Sequence, residues 1–189
     1  MRGAPSDFSA LEPGKRRRNG SRAKFRPPML ESSSRSVLPG IGILETMHEE
    51  ARIALASYGG FSTLAEGSYL MRQGDAENRL HILISGKLEV CARTDKQLVE
   101  LGMIMPGESA GEMNVIDPKT ASADVRAVIN CRLWSISKEG FDQYTSKLPA
   151  HGVLLLRALS RQFCRRIRNN SEKMLRQAEL ATAIYEWTD

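Results

Sequence analysis

The run Pro106-Gly107-Glu108-Ser109-Ala110-Gly111-Glu112-Met113 carries the side chain best suited to hold a ligand, Glu112. An ionised carboxylate only accepts hydrogen bonds, so it selects hydroxyl or amino donors. Gly107 and Gly111 tolerate backbone conformations closed to other residues, which permits tight turns and a close approach of main chain to a bound group. A short helical turn after Glu112 would aim free N–H groups at an anion. Cations are scarce, however: between Glu112 and Arg126 there is only Lys119, and Asp124 adds a negative charge whose direction depends on strand parity. Plainer roles stand beside these. Glu112 could be satisfied by neighbouring N–H groups, and Lys119 could be a solvated turn lysine.

Catalytic and metal chemistry find no second foothold. His48, His81 and His151 form no His-x-His pair, Cys91, Cys131 and Cys164 form no CxxC, and metal sites need clustered ligands. No nucleophile stands beside a base in a recognisable pattern. The expectation is a non-enzymatic protein without a metal. Three widely spaced cysteines fit reduced core thiols and a cytoplasmic setting. His81, inside an apolar strand, is expected to be hydrogen-bonded and partly buried, and Asp75 to belong to a turn.

The net charge of +5 on 189 residues is unevenly placed. Residues 1–37 hold nine Lys/Arg against three Asp/Glu, a surplus of +6, which leaves −1 on the rest. With little apolar content this arm is predicted to be disordered. It could touch nucleic acid or anionic lipid through counterion release, but it lacks a base-reading element, so nucleic acid is not assigned as a partner. A solubilising leader is the plainer reading. No apolar run reaches the ~18–20 residues that span a membrane.

The elements that must position Glu112 show in the periodicity. Leu44, Met47, Ala51, Ile53, Ala54 and Leu55 follow a helical spacing stopped by Gly59-Gly60. Short alternating segments then run to about Ser137, broken by Gly and Asp at Gln73-Gly74-Asp75, Ser85-Gly86 and Thr94-Asp95-Lys96, as in an antiparallel roll or sandwich. Pro149 opens a final helical stretch whose stripe Leu156, Leu159, Phe163, Ile167, Asn170, Met174, Gln177, Ala181 and Ile184 is coiled-coil-like. It is too long to be covered by so small a roll, so a second copy is its expected partner, with Asn170 setting register. One long helix lying on its own domain is the alternative.

This order of elements resembles the cyclic nucleotide-binding domains. "LAEGSYLMRQGDAENRLHILISGKLEV" is similar to that family's opening strands, "PGESAGEM" to the start of its phosphate-binding cassette, and "LLRALSRQFCRRIRNNSEKM" to the dimerisation helix of the catabolite activator protein subgroup. The resemblance spans roughly residues 43–180. It implies an α+β fold: an antiparallel β-roll (double-stranded jelly-roll) at 38–147, flanked by a short N-terminal helix and by a long dimerisation helix within 148–189, after a basic arm at 1–37.

The resemblance also implies a regulatory sensor for cAMP or cGMP. Its ligand residues would be Gly111, Glu112 and Met113, with Glu112 accepting from the ribose 2′-hydroxyl. The family's phosphate arginine falls on Ala121, or on Ser122 with a one-residue shift. Lys119, Thr120 or Ser122 could compensate, and Asn170 and Ser171 stand where the subgroup reads the base. Asn170 and Ser171 could equally be dimer seam and helix surface. The expected output is a protein partner of unknown identity. Two alternatives follow: a degenerate domain kept as a dimerisation platform, and a transcription regulator acting through the basic arm.

Overall fold

The computed structural model describes residues 37–186, with side chains to Leu180 and at Thr182. The basic arm, apart from Val37, lies outside the described residues, as do the Ala181 and Ile184 side chains of the expected seam. A 3-10 turn (Gly42–Leu44) and helix α1 (Glu49–Ala56) lead into eight strands. These are β1 (Gly60–Leu64), β2 (Tyr69–Met71), β3 (Arg79–Ser85), β4 (Leu88–Arg93), β5 (Leu98–Ile104), β6 (Ser109–Ala110), β7 (Asp124–Ala127) and β8 (Cys131–Ser137). Helix α2 (Glu112–Ile116) sits between β6 and β7, and α3 (Lys138–Lys147) and α4 (Pro149–Glu186) follow β8.

The strands form two antiparallel four-stranded sheets, ordered β1-β8-β3-β6 and β2-β7-β4-β5. The alternation of β8 explains the layering. Cys131 and Leu133 point between the sheets, where they meet Leu70, Met71, Leu83, Leu88, Ile104 and Val125. Trp134 and Ile136 point the other way, into a second cluster closed by Leu44, Leu55, Phe141, Tyr144, Leu155 and Leu159. From Leu133 to Ile136 both faces of the strand are covered and every residue is buried, which is why the period-two signal is weak there.

The first helix differs from its expected span. Leu44 belongs to the 3-10 turn and Met47 to the linker, although both are buried. His48 is the reason: its Nδ1 accepts from Ala51 N–H at 3.2 Å, capping α1 just before Glu49. Ile53 is exposed rather than on the packed face.

Tyr144 ties α3 to α1 through a hydroxyl donated to the Ala51 carbonyl at 3.3 Å. Burial, with a smaller contribution from Tyr58, pushes its phenol up from 10.0 to about 12. The folded state thus favours the neutral form, and that contribution is complete below the unfolded value and lost as pH rises from 10 through about 12. Tyr144→Phe is expected to lack about 2–3 kcal/mol of the wild-type loss across that window, as read by urea unfolding at stepped pH. Equal alkaline slopes would contradict it.

Candidate functional site

Gly111 N-caps α2 in the left-handed conformation at φ 75°. An added Cβ there would stand 2.1 Å from the Arg79 carbonyl oxygen, so only glycine lets the cassette lie against β3. Gly107 makes a similar approach to Gly42, and its carbonyl accepts from Ile43 N–H at 2.9 Å. Asn114 fastens α2 from below by donating to the Glu77 carbonyl at 2.7 Å. These contacts fix the backbone that carries Glu112.

Glu112 is 4% exposed, and its carboxylate faces α4. Arg166 Nη1 donates to Oε1, while Arg166 Nη2 donates to the Ser109 carbonyl at 2.6 Å. Ser109 Oγ donates to Glu112 Oε2 at 3.2 Å. One helical turn earlier, Gln162 is 1% exposed and clasps Ser109 from both sides. Its Oε1 accepts from Ser109 N–H at 3.1 Å and its Nε2 donates to Ser109 Oγ at 2.8 Å. The cassette and the long helix are therefore joined by a charge-assisted pair resting on a buried polar clasp. Each Glu112 oxygen keeps a lone pair for a further donor.

The plainer reading of Glu112, satisfied by neighbouring backbone N–H groups, is replaced by these two side-chain partners. Arg166 and Gln162 were not among the residues expected at the site. Their signal was present: Leu155, Leu159, Gln162 and Arg166 advance by three or four, so the buried face of α4 continues from apolar into polar residues. Leu159 lies on that face, in the domain's own core, and is not available to a seam with a second copy.

The other candidates scatter. Ala121 is 4% exposed and lines the roll interior, with its N–H and C=O bonded to the turn at Gly74 and Asp75. Ser122 and Met113 are exposed, and Thr120 forms an isolated bridge with Ala76. Lys119 pairs at 2.7 Å with Asp117, both largely exposed, and that hydrogen bond raises the lysine pKa. Asn170 is exposed on α4, and Ser171 turns its hydroxyl back to the Ile167 carbonyl at 3.0 Å, so the helix does not bring either onto the cassette.

Asp124 does not face the roll interior. It lies on the strand face of Arg126, opposite Val125, where it accepts from Gln73 N–H at 2.8 Å and from Arg93 at 3.0 Å. The Arg72 guanidinium is stacked 3.9 Å over the Tyr69 ring. His81 is hydrogen-bonded as expected, with Nδ1 2.7 Å from Ser135 Oγ, but it is fully rather than partly buried. Of the three cysteines expected in the core, Cys91 and Cys131 are buried and Cys164, on α4, is exposed. Among the described residues there is no group of three or more potential metal ligands. No described helix is long and apolar enough to cross a membrane.

Residues 61–147 match the family described as "Cyclic nucleotide-binding domain". The chain carries a domain of that family. Two features agree with the match: the paired sheets of the roll and the glycine-led turn into Glu112. The "CRP-like cAMP-activated global transcriptional regulator" of Mycobacterium tuberculosis is 27% identical to this chain over 135 residues, 71% of its length. The chain spans only 60% of that relative's length.

Two solved structures share the fold. A cyclic nucleotide-binding domain from Methylobacillus flagellatus superposes with a TM-score of 0.67 at 22% identity, over 69% of this chain and 74% of that one. The catabolite activator protein of Thermus thermophilus gives 0.62 at 24% identity, over 71% and 62%.

Proposed function

We propose that this protein is a non-enzymatic sensor in which a ribose-bearing ligand, a cyclic nucleotide or a relative of one, binds at Gly111 and Glu112 and is felt by α4. The observation that carries the reading is the Glu112–Arg166 pair with the Gln162–Ser109 clasp beside it. A hydroxyl donated to Glu112 adds to a carboxylate already held by the helix, so occupancy favours the docked position of α4 over any other. Beyond Arg166 the helix exposes Ile167, Met174, Leu175 and Leu180, and a second copy of α4 is the partner proposed for them. The signal would then pass through a helix pair to a further protein.

Calorimetric titration of the full chain with ribonucleosides and their cyclic monophosphates tests this. The expected result is saturable binding by at least one of them, with stabilisation of about 2.7 kcal/mol at a hundredfold excess over Kd. Silence across the set would favour the other reading, a ligand-free dimerisation platform. That reading has its own support: both Glu112 oxygens already have partners within the chain, and neither Ala121 nor Ser122 is a cation. A role for the basic arm in transcription is tested by gel shift with and without residues 1–37, where equal DNA affinity would remove it.

A further inference from the structure

We infer that the ligand at this site is an uncharged nucleoside, not a cyclic nucleotide or another phosphate ester; the inference rests on the reading of Glu112 as acceptor for a ribose hydroxyl. Charge balance carries it. Three cations around the cassette each already face a carboxylate: Arg166 with Glu112, Lys119 with Asp117, and Arg93 with Asp124. With these pairs complete, none of the three offers an incoming phosphate diester a counterpart without breaking a pair.

Redistribution does not supply one cheaply. Arg166 is held by two acceptors, Glu112 Oε1 and the Ser109 carbonyl, and drawing it to a phosphate would strand a carboxylate that is 4% exposed. An unpaired buried charge is the costliest outcome available to such a site. Arg93 is likewise tied to a buried Asp124 on the outer face of its sheet.

The wall at the expected phosphate position is equally uninviting to an anion. It is the Ala121 methyl group, packed in the apolar cluster between the sheets. A neutral ligand loses nothing by these absences. It keeps the contact the site is built to make, a hydroxyl donated to the remaining lone pairs of Glu112.

The experiment is a calorimetric comparison, on the wild-type full chain, of adenosine and guanosine with cAMP and cGMP and with the two 2′-deoxynucleosides. The expected result is that the binding nucleoside exceeds its own cyclic monophosphate by about tenfold or more, the scale of a missing charge-assisted contact. Its 2′-deoxy form should be weaker by a similar factor, and its affinity should hardly change with salt. A cyclic monophosphate that binds as tightly as its nucleoside, or more so, overturns this inference and leaves the sensor reading standing. Silence from all six compounds overturns both.

Discussion

Glu112→Ala is expected to weaken ligand binding by about a hundredfold, ~3 kcal/mol, and to loosen the junction between the cassette and α4. The substitution removes the acceptor for the ligand and the counter-charge of Arg166 in one step. Breaking a fully buried ion pair costs about 3–5 kcal/mol, but Arg166 is about a third exposed and can recover water. A stability loss of about 2 kcal/mol is therefore expected in urea unfolding of the full chain. Glu112→Gln keeps the shape and a carbonyl oxygen for Arg166, so it should lose less stability while still weakening binding. If Glu112→Ala bound the wild-type ligand with unchanged affinity, the carboxylate would have no part in the site.

Trp134→Ala is expected to cost about 3–5 kcal/mol, a large part of the ~5–15 kcal/mol that holds a domain together. Trp134 is fully buried on β8, paired with Phe61 of β1 and Ile82 of β3, and it fills the layer between that sheet and the helices. The chain makes room for it at Gly59, where a Cβ would lie 2.5 Å from the indole Cζ2. Neither sheet nor helix can close over the cavity without shifting the other, so little of the loss is recovered by relaxation. Urea unfolding at an unchanged m-value checks the figure. A loss below about 1 kcal/mol would mean that the layer is far more plastic than its packing implies.

How much of this could be read beforehand varied with the range of the interaction. The roll was legible because short alternating segments and turn residues such as Gly74, Gly86 and Thr94 act locally. Glu112 and its glycines were legible for the same reason: the φ of +75° at Gly111 is a local demand. The direction of Asp124 was not, because it depends on which residue of β7 pairs with Cys91 of β4, and Val125 is taken by the interior.

Arg166 was hidden in another way. It stands 54 residues from Glu112, within the run Arg161, Arg165, Arg166 and Arg168, and nothing local distinguishes it from its neighbours. Only the buried face through Leu155, Leu159 and Gln162 selects it. Asn170 and Ser171 showed the converse, a suggestive pair that the rotation of α4 leaves exposed. The start of α1 was misplaced because a histidine cap outweighed an apolar spacing that continued through Leu44 and Met47.

The most direct test of the central claim, that the cassette and α4 respond as one unit, is amide hydrogen exchange of the full chain with and without a saturating nucleoside or cyclic nucleotide. The account predicts added protection in two stretches together, 109–117 and 159–170, and its disappearance in Arg166→Ala even at ligand concentrations that refill the site. Protection confined to the cassette, with α4 unchanged at saturation, would contradict it.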